Sequence, residues 1–458
     1  GISILGDRSA FWWGTIGFAF LFCLWMYHWK GGGAAFFDAL AFPGWLRPDL
    51  TALWGWWHTT GTLGNIIKGA VHDPGFYYSL AYCMCVLVFG IRRIRRRKTP
   101  YITLQTATLT AIQWIPLFIL PYFLFPWMGA NGWFTSGGFW QWFGEQFLSN
   151  GPGTAPDQYW RSFGFILAWP LFVWNFFTDQ PVWGWIILGS IQTFVIIPLI
   201  IWRWGKGAYC GWICSCGALA ETMGDQHRHK MPHGPFWNKV NMIGQVVLVF
   251  ALIIMALRIL GWVFPGEYAT NAAGEFLNQA GAVVEQPENA AWQASVFVTA
   301  YDATIGGIPV INYKCLVDLW LAGILGVAFY FHFSGRVWCR FACPLAALMH
   351  IYARFSRFRI FADKKKCISC NACTSVCHQG IDIMNFANKG LGMEDPECVR
   401  CSACVHVCPT GTLNFGHYGK GGKPVLDKLW ASPVQRQEAQ SAGTPIDAYM
   451  AKAATKVA

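Results

Sequence analysis

Two dense cysteine runs near the carboxyl end carry the clearest chemistry in this sequence. The first reads Cys-x-x-Cys-x-x-Cys-x-x-x-Cys from Cys367 to Cys377, and the second repeats that spacing from Cys398 to Cys408, with Pro409 after it. In two-cluster ferredoxins this spacing wraps three thiolates around one 4Fe–4S cubane, and the fourth cysteine of each run ligates the other cluster. Zinc or unligated thiols are the alternatives, but zinc sites close with four ligands in two spaced pairs. The spacing therefore predicts two crossed sets of cluster ligands: Cys367, Cys370, Cys373 and Cys408 for one, and Cys398, Cys401, Cys404 and Cys377 for the other.

Two further cysteine pairs have the spacing Cys-x-x-x-Cys, namely Cys210 with Cys214 and Cys339 with Cys343. Each pair follows an apolar stretch and a short basic turn that contains glycine, so the chain holds an internal repeat. On one helix, residues i and i+4 share a face. Two such faces brought together would form one redox site, which would hold a metal, a further cluster or a dithiol. The alternative is that these cysteines pack as small hydrophobic residues.

Basic residues flank both pairs. Lys206 precedes the first pair, and Arg336 and Arg340 border the second. Thiols beside such cations have lowered pKa values and enhanced reactivity. We therefore expect low thiol pKa values at this site, and the role of the additional Cys216 stays open.

The composition is that of a membrane protein with a smaller soluble part. Of the 458 residues, 54% are hydrophobic and only 12% are charged, whereas soluble domains are about 25% charged. The net charge of +11 lies in short clusters beside apolar stretches, which is the pattern of the positive-inside rule. This placement argues against nucleic-acid binding. The dense cysteine runs follow a basic segment, which favours the reducing cytoplasm and metal ligation over disulfides.

Hydropathy predicts six transmembrane helices, most of them in the range of roughly 17–25 residues that a bilayer requires. They cover 11–29, 76–91, 101–125, 184–204, 240–264 and 316–334. Basic clusters follow three of these helices and the intervening loops are acidic, so both termini and the cysteine runs are expected in the cytoplasm. The apolar segment 160–177 contains Arg161 and Pro170 and is predicted to be an interfacial or re-entrant helix.

The predicted fold is an all-α polytopic membrane domain followed by a cytoplasmic two-cluster ferredoxin module of the α+β class. The chain divides into an N-terminal membrane region with three spans (1–125), an external loop with the re-entrant helix (126–183), a core membrane region with both Cys-x-x-x-Cys repeats (184–360), the double 4Fe–4S domain (361–415) and a polar tail (416–458).

The combination of apolar spans, two Cys-x-x-x-Cys pairs and a double 4Fe–4S module resembles the NosR/NapH family of membrane iron–sulfur proteins. The resemblance covers about 160–415 and rests on GKGAYCGWICSCGAL at 205–219, GRVWCRFACPL at 335–345 and both cysteine runs. It implies a multi-pass protein of the bacterial inner membrane that oxidises quinol or supplies electrons to external reductases and metal sites. The sequence departs from the family at Ser215, where the first motif usually has proline, and the external flavin domain of the NosR branch is expected to be absent.

The sequence predicts a membrane-bound electron-transfer protein, with quinol dehydrogenase activity as a candidate. Its expected partners are the lipid bilayer, a redox protein in a larger membrane complex, and a quinone as a candidate donor. No nucleic acid, flavin or covalent haem is expected. Two alternatives stay open: an accessory iron–sulfur subunit of a respiratory or photosynthetic complex, and a reductase that matures metal sites.

Overall fold

The computed structural model describes residues 63–71, 73–149, 154–172, 182–263, 333–419 and 422–456, together with short pieces between 269 and 326. The predicted span 11–29 and most of the predicted span 316–334 lie outside the described residues. The α-helices are α1 (Leu63–Val71), α2 (Pro74–Arg97), α3 (Pro100–Trp114), α4 (Phe125–Ala130), α5 (Gly138–Phe143), α6 (Trp183–Ile191), α7 (Ile197–Trp204), α8 (Gly207–Cys210), α9 (Ser215–Thr222), α10 (Pro235–Val240), α11 (Ile243–Val263), α12 (Val337–Phe341), α13 (Pro344–Ala353), α14 (Ala372–Ser375), α15 (Ile383–Lys389), α16 (Ala403–Val407), α17 (Pro433–Ser441) and α18 (Ile446–Ala454).

The strands form two small sheets. Three two-residue strands, β1 (Ala269–Thr270), β2 (Phe276–Leu277) and β3 (Val283–Val284), pair antiparallel in chain order. The second sheet contains β4 (Phe358–Ala362), β5 (Leu413–Tyr418) and β6 (Pro424–Leu426), also antiparallel.

Four continuous helical segments of the described residues are long and apolar enough to cross a membrane. They are Gly75–Arg97, Pro100–Ala130, Trp183–Trp204 and Pro235–Ala256. Each overlaps one of the predicted spans, so the helical membrane region is confirmed at this level. The first is longer than predicted, because the helix continues through the basic residues up to Arg97.

Proline shapes the second of these segments. Between α3 and α4 the chain forms a π-helical stretch, Ile115–Leu124, which contains Pro116 and Pro121. Proline lacks the amide hydrogen that an α-helix needs, and a wider turn accommodates this loss without ending the helix. The segment therefore stays continuous across its length.

The predicted re-entrant helix over 160–177 differs from the expectation. Its described part is a 3-10 helix, Tyr159–Phe165, followed by irregular chain up to 172. Side chains of the neighbouring helices hold its backbone: Gln192 donates to the Phe165 carbonyl at 3.1 Å, and Thr193 donates to the Trp169 carbonyl at 3.0 Å. Irregular backbone at membrane depth is stable only when protein groups satisfy it in this way.

The carboxyl-terminal domain is built around the β4–β5 ladder, which pairs Phe358 with His417 and Ala362 with Leu413. This pairing closes the chain on itself and brackets both cysteine runs. The domain is fixed to the membrane region by Tyr101, at the start of α3. Its ring lies 3.4 Å, centroid to centroid, from that of Trp430, and its hydroxyl donates to the Arg400 carbonyl at 2.8 Å.

The segment 416–458 is folded over most of its length and is not the polar tail that the sequence predicts. It completes β5 and adds β6, α17 and α18. A capping box at Ser432 and Gln435 starts α17, and Gln435 also donates to the Gly411 carbonyl at 2.8 Å. The domain therefore extends beyond the predicted limits of 361–415 at both ends, because β4 begins at Phe358.

Candidate functional site

Eight cysteines of the carboxyl-terminal domain line two separate cavities. The outer cysteine set, which lines one cavity together with Pro409 and Thr412, consists of Cys367, Cys370, Cys373 and Cys408. The inner cysteine set, which lines the other cavity, consists of Cys377, Cys398, Cys401 and Cys404. Each cavity thus receives three cysteines from one run and the last cysteine of the other run. Four thiols converging on one cavity suit a 4Fe–4S cubane, whose irons take thiolate ligands.

The two cysteine loops follow the same unusual backbone path. Ser369 and Asn371 in the first run have φ angles of 55° and 62°, and Arg400 and Ser402 at the equivalent positions of the second run have 51° and 61°. Non-glycine residues are uncommon in this left-handed region, and such strain persists where the surrounding structure requires it. The strained positions alternate with the cysteines, so this path directs successive thiols toward one cavity.

The four cysteines of the Cys-x-x-x-Cys repeats, here called the boundary cysteines, do not lie on single helices. Cys210 ends the short helix α8, and Cys214 is the N-cap of α9. Likewise, Cys339 lies in α12 and Cys343 is the N-cap of α13. The prediction of an i, i+4 helical face is therefore wrong. Each pair spans a helix–turn–helix, in which the turn brings the second cysteine back toward the first.

The two repeats are nevertheless packed together, and all four boundary cysteines are buried in one core cluster. Glycines make the close approach possible. A Cβ atom on Gly224 would lie 2.5 Å from the Cα atom of Gly335, and one on Gly335 would lie 2.7 Å from the Cα atom of Gly224. Any larger side chain would separate the repeats at this point.

Arg336 and Lys206 are the cations that act on the Cys210 and Cys339 thiols. The Arg336 guanidinium donates to the Cys339 thiol at 3.6 Å and to the Cys210 carbonyl at 3.3 Å. Arg340, in contrast, turns away and donates to the Asn241 side chain and the Pro232 carbonyl. The expectation that Arg340 acts on the thiols is therefore wrong.

The thiol pKa is lowered at one boundary cysteine, and the main cause there is a hydrogen bond and not the expected cations. A hydrogen bond from Cys216 lowers the pKa of the Cys214 thiol to about 7, against the opposing effect of burial. Burial raises the thiol pKa of Cys210, Cys339 and Cys343. Desolvation disfavours the thiolate more strongly than the nearby cations favour it.

The loop of the inner cysteine set shares a buried core with the boundary cysteines. Val399 belongs to the same buried cluster as the boundary cysteines, and Cys401 packs against it. The ion pair between Lys206 and Glu397, at 2.6 Å, ties the two regions together. Burial by itself raises the pKa of Glu397, but Lys206 and His350 outweigh it and hold the pKa at about 2.

Gly207 controls this contact, because a Cβ atom there would lie 2.2 Å from the carbonyl carbon and oxygen of Val399. We expect Gly207→Ala to push the Val399 loop away and to destabilise the protein by about 1–3 kcal/mol, the usual cost of overpacking. Thermal unfolding measures the loss of stability. The electron paramagnetic resonance (EPR) spectrum of the cluster that the inner cysteine set would hold, here called the inner cluster, reports the displacement of the loop. Gly69→Ala is the matched control, since among the described residues no atom outside its own stretch of helix lies within 4 Å of the position that a Cβ atom would take there. Equal stability of both variants would contradict this interpretation.

Polar side chains of α3 form hydrogen bonds with the backbone of the first Cys-x-x-x-Cys repeat. These residues were not among those predicted from the sequence. Gln105 and Gln113 of α3 donate to the carbonyls of Gly211 and Ile213, each at 2.8 Å. Both glutamines are fully buried. Polar side chains inside an apolar span are costly unless they have a partner, and this is the signal that could have identified them.

A cleft of about 940 Å³ lies between the carboxyl-terminal domain, the start of α11 and the end of α13. Met242, Ile351 and Arg354 line the membrane-domain side, and Thr374 and Gln379 line the side of the cysteine loops. The Gln379 side chain is buried, yet neither its amide nitrogen nor its oxygen has a hydrogen-bond partner among the described residues. A buried polar group without a partner is costly, so this cleft fits a ligand with both a donor and an acceptor.

Two family models match the chain. A 4Fe–4S dicluster domain matches 359–409, and a 4Fe–4S binding domain matches twice, at 186–232 and 319–361. The first match contains both dense cysteine runs, and the other two contain one Cys-x-x-x-Cys pair each. The fold and these matches define an iron–sulfur protein with membrane helices and a ferredoxin-type domain at its carboxyl end.

Several curated proteins are similar to part of this chain. An uncharacterized protein of Methanocaldococcus jannaschii is 27% identical over 150 residues, which are 31% of this chain and 59% of that protein. YccM of Escherichia coli, whose name proposes electron transport, is 25% identical over 42% of this chain and 46% of its own length. The regulatory protein NosR of Stutzerimonas stutzeri is 23% identical over 45% of this chain and 24% of its own length.

The matched regions thus span between about a quarter and three fifths of these relatives. No solved structure matches the chain. The chain thus has matches to two kinds of 4Fe–4S domain and is similar to YccM and to NosR over part of their lengths.

Proposed function

We propose that this chain relays electrons between a quinone or cytoplasmic donor and an external redox partner. The route uses two 4Fe–4S clusters and the boundary cysteines. The observation that supports it best is that Val399, from the loop of the inner cysteine set, lies in the same buried core as the boundary cysteines, with Cys401 packed against that core. Redox centres held by one packed core can exchange electrons without a mobile carrier, so this arrangement suits a relay.

The chain's own residues have distinct tasks in this proposal. Each 4Fe–4S cluster, when bound, supplies a one-electron carrier. The outer cysteine set would hold one cluster and the inner cysteine set the other. Lys206 and Glu397 fix the inner loop against the membrane region, and the close packing at Gly207 excludes water from the contact. The boundary cysteines would act as one redox site, as a dithiol or with a further metal or cluster.

We further propose six spans in a bacterial inner membrane, with the ferredoxin-type domain in the cytoplasm. Arg93 and Arg97, at the basic end of α2, form ion pairs with Glu221 and Asp225 near the boundary cysteines. Tyr101, just beyond this basic end, contacts the carboxyl-terminal domain. The domain and the basic residues therefore lie at the same end of the helices, and the positive-inside rule assigns that end to the cytoplasm.

The cleft beside Gln379 is the candidate donor site. Its wall combines residues from the start of α11 and the end of α13 with residues next to both cysteine loops. His350 and Glu397 also line it and share a hydrogen bond. An amphipathic carrier such as a quinol would present hydroxyl groups to these polar residues while its tail stays in the bilayer. This would make the chain the quinol-oxidising component of its complex.

Oxidation of a quinol analogue by the purified protein tests this function. We expect the clusters to become reduced under anaerobic conditions when a water-soluble quinol is added, as followed by bleaching of the visible absorbance. Stable co-purification with membrane partners, without any cluster reduction, would instead favour an accessory subunit. The exposed aromatic side chains of Phe139, Trp142 and Trp183 are an observation that favours such docking.

Iron content provides a second test. Two cubanes predict about eight iron atoms per chain, measured against protein concentration in an anaerobic preparation. A clearly higher value would indicate a further cluster at the boundary cysteines. Fewer than about four would contradict the cluster assignment, since even one intact cubane contains four.

A further inference from the structure

A buried network of charged residues lies between the boundary cysteines and the inner cysteine set. Glu221 is at its centre and is completely buried. Its carboxylate accepts from Arg336 at 2.6 Å, from Arg228 at 2.6 Å and from Arg93 at 2.8 Å. Asp225 extends the network by accepting from Arg228 at 2.7 Å. We call these residues, with Arg97, the arginine network.

The arginine network contacts both redox sites. On one side Arg336 donates to the Cys339 thiol. On the other side Arg228 lies 3.0 Å from the ring nitrogens of His378, the residue that follows Cys377. A chain of hydrogen bonds and ion pairs therefore runs from a boundary cysteine to the loop of the inner cysteine set, and Glu221 is its central member.

The network carries an excess of positive charge. Among the described residues, the guanidinium groups of four arginines surround two carboxylates. The arginines are Arg93, Arg97, Arg228 and Arg336, and the carboxylates are Glu221 and Asp225. Burying charge is costly unless it is balanced, so an excess of two positive charges at this position needs an explanation. Thiolate-ligated clusters are anionic and gain a further negative charge on reduction, and buried charges act on each other strongly.

We propose that the arginine network sets the reduction potential of the inner cluster, with Glu221 as the positioning residue that balances its charge and holds Arg336 on Cys339. This inference rests on the proposed function only in assuming that the inner cysteine set holds a cluster. Positive charge next to the cluster stabilises the reduced form and raises its potential. The network would thereby draw electrons from the outer cluster toward the boundary cysteines.

Two variants with opposite charge effects test the proposal. Glu221→Gln removes a negative charge and should raise the potential of the inner cluster, whereas Arg228→Gln removes a positive charge and should lower it. The potentials are measured by an EPR-monitored redox titration of the full chain, without any donor or acceptor protein. The outer cluster is the internal reference and should keep its potential in both variants.

Opposite shifts confined to the inner cluster would support the proposal. Shifts in the same direction, equal shifts of both clusters, or unchanged potentials would overturn it, because a merely structural role gives no dependence on the sign of the charge. These results are independent of quinol oxidation. Failure of the inference would therefore leave the proposed function standing, and failure of the proposed function would leave the potentials measurable.

A second pair of variants keeps the test decisive if Glu221→Gln does not assemble. Asp225→Asn and Arg97→Gln alter the edge of the arginine network, where the Arg97 side chain is 14% exposed and tolerates change better. Asp225→Asn should raise the inner potential and Arg97→Gln should lower it, with smaller shifts than at the centre. As for the first pair, opposite shifts confined to the inner cluster would support the proposal, and any other pattern would overturn it.

Discussion

Replacing Cys408 with serine is expected to remove the cluster whose other ligands are Cys367, Cys370 and Cys373, which all belong to the other cysteine run. The reason is that these four cysteines line one cavity, although Cys373 and Cys408 are 35 positions apart in the sequence. Cys377→Ser should correspondingly remove the cluster of Cys398, Cys401 and Cys404. Each variant should retain the iron and the EPR signal of the remaining cluster, roughly half of the total.

The control for both variants is Cys83→Ala. Cys83 is fully buried in α2, in a hydrophobic core that contains none of the eight cysteines of the two dense runs. This variant should therefore keep both iron–sulfur clusters. If Cys408→Ser instead destroyed the cluster of its own run and spared that of Cys367, Cys370 and Cys373, crossed ligation would be wrong.

The second large effect concerns the boundary cysteines. Cys214→Ala and Cys343→Ala should each stop electron flow to the external side, and the double variant should be no worse. The four boundary cysteines share one buried core, and residues that act as a unit give non-additive losses. The rate of electron transfer to an acceptor enclosed in proteoliposomes, after reduction of the clusters from outside, measures this effect.

Both ferredoxin-type clusters should stay intact and reducible in these variants, which separates a broken route from a misfolded protein. Cys83→Ala again serves as the control and should transfer electrons normally. Transfer at nearly the wild-type rate in either single variant would mean that the boundary cysteines are structural and that the route bypasses them.

Local patterns predicted much of this structure. The repeated cysteine spacing is a local signal, and the grouping that it predicts is the one in which the eight cysteines line the two cavities. Apolar length is also local, and it identified the four described membrane segments. Patterns of this kind succeed because the ligand geometry or the bilayer thickness imposes them on short stretches of chain.

Contacts between distant residues were not predictable in the same way. Glu221 lies in an ordinary-looking stretch, and its partners Arg93 and Arg336 are 128 and 115 residues away. Arg93 belongs to a basic cluster that the positive-inside rule explains completely on its own. Nothing in the local pattern therefore indicated that one of these arginines would be buried in an ion pair.

Turn geometry and strand pairing account for the remaining differences. The Cys-x-x-x-Cys spacing suits a helix face and a helix–turn–helix equally, and the turn after Cys210 decides between them. The segment 416–458 reads as polar and rich in glycine, but its first residues belong to β5, which pairs with β4 more than fifty residues earlier. Such pairing depends on tertiary context more than on intrinsic preference.

Quantitative EPR of the dithionite-reduced protein tests the central claim most directly. Two 4Fe–4S clusters in one small domain predict about two unpaired spins per chain, with spectra broadened by magnetic interaction between the clusters. Oxidation by an external acceptor in proteoliposomes should then remove both signals together. A single isolated spin per chain, or two signals that the acceptor never oxidises, would contradict the proposal of an electron relay.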